Sequence, residues 1–149
     1  MNSQANTPRN SLRGLTTAVY HADDHEAAKR WYAELLGVEP YLSRPEYAEF
    51  RFGDYQHELG LLNSRFLADL GGEAPQAAGP AGVIVYWHVD DVEAVLARLM
   101  AIGAKPHQPP RDFGEGFVGA SVIDPFGNIL GIMYNPHYLA VLGEMAEAT

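Results

Sequence analysis

The chain has 149 residues and a hydrophobic fraction of 47%, enough for one compact domain with a real core. Its 10 Lys and Arg stand against 19 Asp and Glu, for a formal net charge of -9, which argues against a nucleic-acid partner held through clustered cations. No cysteine is present, so disulfides, thiolate nucleophiles and Cys-ligated zinc are excluded.

In chain order, residues 1–13 are polar, hold almost nothing to bury and lack the apolar stretch of a signal peptide. They are expected to form a disordered leader. No apolar run approaches the roughly 20 residues that span a bilayer. A cytoplasmic protein without membrane contact is therefore expected.

Residues 16–40, TTAVYHADDHEAAKRWYAELLGVEP, and 83–106, VIVYWHVDDVEAVLARLMAIGAKP, follow one pattern. Each gives a short strand, a His, a small residue, an Asp-Asp pair, a helix and a glycine stop. The starts, 16–21 and 83–88, are rich in β-branched and aromatic residues, which suits strands. Asp23-Asp24 and Asp90-Asp91 can each supply a helix N-cap, with Glu26 and Glu93 in the first turns. Ala27, Trp31 and Leu35 recur at helical spacing, as do Val92, Val95, Leu96 and Leu99. Gly37 and Gly103 are placed to end the two helices.

Three strands are predicted after each helix, near 40–43, 47–52 and 57–62, then near 105–108, 117–123 and 129–134. Gly114-Glu115-Gly116 and Asp124-Pro125-Phe126-Gly127-Asn128 carry turn chemistry. Leu59-Gly60-Leu61-Leu62 matches Leu130-Gly131-Ile132-Met133, so the halves share an end as well as a beginning. The Ala-, Gly- and Pro-rich residues 63–82 read as a linker, with a short helix at 64–70. Residues 109–116 read as a loop over the pocket mouth, with Arg111 and Phe113 able to touch ligand, or as a plain hairpin connection. The tail 138–149 reads as a short amphipathic helix.

The repeat, the segment DDHEAAKRWYAELLGVEP and the segment DPFGNILGIMYNPHY resemble the vicinal oxygen chelate superfamily over residues 14–137. That group includes glyoxalases, extradiol dioxygenases, methylmalonyl-CoA epimerases, fosfomycin-resistance enzymes and bleomycin-binding resistance proteins. The resemblance implies an α+β fold: two βαβββ modules, 14–62 and 83–137, forming a cupped mixed sheet with helices on its outer face. It also implies a homodimer. Metal-using members place one ligand on the first strand and one on the last strand of each module. Carried over, these positions fall on Thr17, Gly60, Ile84 and Gly131, which lack the His nitrogens or carboxylates a divalent ion needs. No metal and no cofactor are expected.

Side chains alternate along a strand. If those four positions face the cup, Val19, Glu58, Leu62, Tyr86, Ile129 and Met133 face it too. Tyr20, Leu59, Leu61, Val85, Trp87, Leu130 and Ile132 then face the helices. The ligand-binding candidates are thus Thr17, Val19, Glu58, Gly60, Leu62, Ile84, Tyr86, Ile129, Gly131 and Met133. Glu58 is the candidate acid or base, with an ion pair to Arg51 as the plainer reading. Gly60 and Gly131 read as room for a ligand ring, or as close backbone approach. On the first reading, Gly131→Leu fills the cup without disturbing the fold. His21 and His88 share the cup-facing parity but lie about 13 Å along their strands from the ligand positions. They are read as strand-end residues bonded near helix starts. His25 and His57 are expected on exposed or helix-facing surface, and His107 and His137 in loops.

The function expected is metal-independent binding of a mainly apolar or aromatic small molecule, as in the bleomycin-binding type. The alternative is a lyase, isomerase or dioxygenase with displaced ligands, or with Glu58 as acid or base.

Overall fold

The computed structural model describes residues 13, 15–66 and 83–148. The order is β1 (Thr17–Ala22), α1 (His25–Leu36), β2 (Leu42–Ser43), β3 (Tyr47–Phe52), β4 (His57–Asn63), then β5 (Tyr86–His88), α2 (Val92–Ala101), β6 (Lys105–Gly114), β7 (Phe117–Ile123), β8 (Ile129–Tyr134) and α3 (Pro136–Glu147). Two mixed four-stranded sheets result, β1-β4-β3-β2 and β5-β8-β7-β6, each with a parallel pair formed by its first and last strands. The architecture is the expected α+β pair of βαβββ modules, but as two sheets whose first strands do not pair with each other.

The helix signals act as the repeat suggests. The Asp24 carboxylate accepts from the Ala27 amide at 3.1 Å, and the Asp91 carboxylate accepts from the Ala94 amide at 3.0 Å. Gly37, at φ 69°, closes α1 in the left-handed region that a Cβ disfavours. In α2 the cap is Ile102, and Gly103 follows it at φ 107°.

Strand parity sorts the sheets into two faces. Phe50 opposes Leu59 and Ala48 opposes Leu61; in the other module Val122 opposes Leu130 and Ala120 opposes Ile132. All eight are buried, and they form the floor on which the helices rest. Each such side chain removed from water contributes about 1.5–3 kcal/mol when it is Val-sized or larger. The other face carries exposed Val19 and Tyr86 and half-buried Glu58.

The modules share one core. Trp31 on α1 donates its indole N–H to the Ile102 carbonyl beyond α2 at 2.7 Å, and its ring meets Phe126 edge-on. The buried Asp124 carboxylate accepts from the Phe126 and Asn128 amides, and also from the Tyr32 hydroxyl at 2.5 Å. The Asp-Pro-Phe-Gly-Asn turn of module two is thereby clamped onto the helix of module one.

Four elements differ from their sequence-based bounds. β5 spans only Tyr86–His88, so Ile84 lies before the strand. β6 continues through Pro109-Pro110 to Gly114 by irregular pairing with β7, so 109–114 is strand and not a loop. Prolines are tolerated there because β6 is an edge strand whose outer N–H groups need no partner. Of the helix expected at 64–70, one short turn at 64–66 lies within the described residues. The tail helix starts earlier, at Pro136, capped by Asn135. The leader 1–12 and linker residues 67–82 lie outside the described residues.

Candidate functional site

Because β1 and β5 are both edge strands, a gap remains where the modules meet. A cavity of about 780 Å³ occupies it. Of the sequence candidates, Thr17, Val19, Glu58, Tyr86, Ile129 and Met133 line it, whereas Gly60, Leu62, Ile84 and Gly131 do not. The wall also includes Phe52, Asp54 and His57 from the β3–β4 hairpin, Trp87 and His88 from β5, and Tyr138 from α3. Arg111 and Phe113 are absent from it. Phe113 instead lies over Gly119, 3.0 Å from where a Cβ would stand.

Glu58 accepts from the Thr17 hydroxyl at 3.0 Å and stands 3.6 Å from the Arg51 guanidinium, the ion pair foreseen from the sequence. Thr17, Glu58 and Arg51 form one cross-strand row. Arg51 also covers the Tyr41 ring at 4.1 Å. Beside this row, Glu49 accepts from the hydroxyls of Tyr41 and Tyr47. The Tyr41 hydroxyl is the first cause that holds the Glu49 carboxyl below the usual carboxylate range. Tyr47 is pushed up to about 12 by burial and by Glu49.

The four positions that the family resemblance assigns to metal do not fit a divalent ion. The Thr17 hydroxyl is directed to Glu58. Ile84 has no donor atom. The Tyr47 ring covers Gly60, its Cε2 2.7 Å from an ideal Cβ, and the Tyr86 ring covers Gly131 at 2.7 Å. Each glycine is therefore a site of close approach by the protein's own tyrosine, and not free space for a ligand. Gly131→Leu would also strike the Val85 carbonyl oxygen, 2.9 Å from the Cβ position, so the expectation of a strain-free substitution is corrected. Among the described residues, no group of three or more His, Asp or Glu is placed to hold an ion.

The histidines separate by role. His88 accepts the Asn135 amide on Nδ1 and places Nε2 3.2 Å from Asp90, so its ring carries its proton on Nε2. That ring stacks on Tyr138 at 4.6 Å and 7°. His21 meets Ser64 at 3.2 Å and does not line the cavity. His25, expected toward the surface or a helix, is buried: its Nε2–H donates to the Leu61 carbonyl at 2.8 Å, tying α1 to β4. His107 lies on β6 and bonds Ser121 at 2.8 Å, so it is a strand residue and not a loop residue.

Sequence reasoning missed Asp54, His57, Phe52 and Tyr138, and it turned Tyr20, Leu59, Val85 and Trp87 toward the helices although they too line the cavity. The first three sit at a hairpin that the ligand-position pattern does not reach, and Tyr138 lies beyond the repeat altogether. The Tyr138 hydroxyl donates to Asp54 at 2.9 Å, bridging α3 to module one, and burial with this bond pushes the phenol up to about 12.

A cavity between duplicated βαβββ modules can be compared with known proteins. The model of the Glyoxalase/Bleomycin resistance protein/Dioxygenase superfamily matches residues 14–132. This chain belongs to that superfamily. Among solved structures, a glyoxalase-related enzyme from Fulvimarina pelagi superposes with a TM-score of 0.68 at 24% identity, covering 84% of this chain and 90% of that one. Lactoylglutathione lyase from Agrobacterium tumefaciens gives 0.65 at 18% identity, covering 85% and 96%. A glyoxalase/bleomycin resistance protein/dioxygenase family enzyme from Burkholderia phytofirmans PsJN gives 0.62 at 16%, covering 80% and 96%. At these identities the likeness is one of fold, and superfamily folds host many chemistries. A comparison with curated proteins finds no match. No helix among the described residues is long and apolar enough to cross a membrane.

Proposed function

We propose that this superfamily member binds a small, mainly apolar or aromatic molecule in the seam cavity, without a resident metal. The observation that carries the reading is the cavity itself. Its volume of about 780 Å³ lies within the range of small-molecule sites, and both modules and α3 contribute to its wall. Val19, Ile129 and Met133 offer apolar contact, and Thr17 with Glu58 offers a polar handle. The donor-poor metal positions support metal independence. Elemental analysis of untagged protein is expected to give well under one transition metal per chain; a stoichiometric ion bound by cup residues would overturn that part.

Trp87 lines the cavity, so a screen of aromatic molecules by tryptophan fluorescence tests the binding itself. A binder is expected to change the emission, and Trp87→Phe to remove most of that change. Emission changes that persist in Trp87→Phe would place the site elsewhere.

The enzymatic alternative has one supporting observation: Glu58 lines the cavity and is oriented by Thr17. If a reaction is catalysed, Glu58→Gln is expected to abolish it while leaving binding measurable. The homodimer belongs to the same proposal, since β2 and β6 leave sheet edges unpaired within the described chain. Light scattering at micromolar concentration is expected to give twice the chain mass, and a monomer would overturn it.

A further inference from the structure

We propose that the seam cavity selects an organic cation, a molecule with an apolar or aromatic body and one positive centre, over neutral or anionic ligands of the same shape. This rests on the reading of the cavity as the ligand site and adds the charge of the occupant.

Two independent features of the wall lead here. The first is its charge. Asp54 and Glu58 both line the cavity, and no Lys or Arg among the described residues does. Glu58 has a cation nearby in Arg51, but that guanidinium is half exposed and sits over Tyr41 outside the wall. Asp54 has no ion-pair partner among the described residues; one of its oxygens accepts from the neutral Tyr138 hydroxyl. The excess of carboxylate is thus local to the cavity, and the net charge of -9 adds a field of the same sign. An entering anion would meet two carboxylates with no Lys or Arg of the described residues in the wall to offset them.

The second feature is the rings. Tyr20, Phe52, Tyr86, Trp87 and Tyr138 all contribute to the wall. Phe52 and Trp87 stack face to face at 4.6 Å, and Tyr138 stacks on the His88 imidazole. Aromatic faces carry negative quadrupole charge and attract ammonium-like cations most strongly where water is excluded. Rings and carboxylates lining one cavity hold an organic cation by two effects of the same sign. They give an anion no hydrogen-bond donor stronger than a hydroxyl, amide or imidazole N–H.

Tetraphenylphosphonium and tetraphenylborate are nearly the same size and shape and differ in the sign of their charge. Calorimetric titration of the full chain at neutral pH and low salt is expected to give phosphonium binding at least about ten-fold tighter than borate. The preference should shrink as salt is raised. Asp54→Asn, which keeps an acceptor for Tyr138, and Glu58→Gln are each expected to weaken the phosphonium about three-fold or more and to leave the borate unchanged or tighter. Val19→Trp, which adds bulk at a half-exposed wall position, is expected to abolish phosphonium binding, with circular dichroism confirming the fold. Borate binding that equals or exceeds phosphonium binding, with Val19→Trp removing both, would overturn the charge preference and leave the cavity as the site. Phosphonium binding that survives Val19→Trp would overturn the cavity reading instead. Absence of measurable phosphonium binding at millimolar concentration would overturn the cation proposal.

Discussion

The two modules come from one pattern, yet they meet differently at the two hairpins that face the seam. At the β7–β8 hairpin the contact is direct and polar. Asn128 donates to the His21 carbonyl at 3.0 Å, the Tyr20 hydroxyl donates to the Ile129 carbonyl at 3.1 Å, and Asp124 is clamped to Tyr32. At the corresponding β3–β4 hairpin the turn carries Gly53-Asp54-Tyr55-Gln56 in place of Asp-Pro-Phe-Gly-Asn. Contact there is made by the stacked pair Phe52–Trp87 and, through α3, by Tyr138 and Asp54. The two halves of the repeat thus differ in one turn and in the helix α3 that follows the second. The tight hairpin carries the buried polar clamp, and residues of both hairpins, Asn128 and Ile129 from one and Phe52, Asp54 and His57 from the other, line the cavity.

The largest expected effect separates the two. Asp124→Ala removes an acceptor of four hydrogen bonds at a buried site and should cost about 3 kcal/mol or more in urea unfolding. Asp54→Ala loses one exposed bond and should cost less than about 1 kcal/mol. Equal costs would erase the distinction. The repeat-related glycines sharpen it next. Gly131→Ala drives a methyl against the Val85 backbone as well as the Tyr86 ring and should destabilise by about 1–3 kcal/mol. At Gly60 the near atoms all belong to the far end of the Tyr47 side chain, which can swing away, so Gly60→Ala should cost clearly less.

Much of the fold could be read from the chain because the repeat states it twice. The Asp caps, the glycine stops and the alternating rows around Leu59, Leu61, Leu130 and Ile132 each have a local physical cause. The site was less legible, for reasons that differ by residue. Thr17, Val19, Glu58, Tyr86, Ile129 and Met133 lie on strands, where parity assigns a face, but at the seam the cavity also takes Tyr20, Leu59 and Trp87 from the other face. Gly60 and Gly131 were placed on the correct strands, but parity says nothing of what covers a glycine, and Tyr47 and Tyr86 cover these two. Ile84 fell outside because β5 pairs over three residues only. Pro109-Pro110 signals a loop unless the strand is known to be an edge. Tyr138 acts through tertiary contact alone, and no periodic or turn signal marks it.

Alkaline pH gives the smallest expected effect. Tyr20 at the tight hairpin is pushed up to about 12, chiefly by burial, with Asp124 adding to it. An unfolded tyrosine titrates near about 10. The folded chain therefore holds this proton more firmly, and the stability it contributes is full below about pH 10 and is lost as pH rises toward about 12. Melting temperature should fall through that window, and Tyr20→Phe should flatten part of the fall. An unchanged slope in Tyr20→Phe would remove Tyr20 from the account.

If ligand enters the seam between β1 and β5, the methyl groups of its wall should report it. Methyl-labelled protein titrated with aromatic molecules tests it directly by NMR. A binder is expected to shift the methyl signals of Val19, Ile129 and Met133 together, with those of Leu62 and Ile84 moving little. A binder that shifts Leu62 and Ile84 and leaves Val19, Ile129 and Met133 in place would contradict binding in the seam.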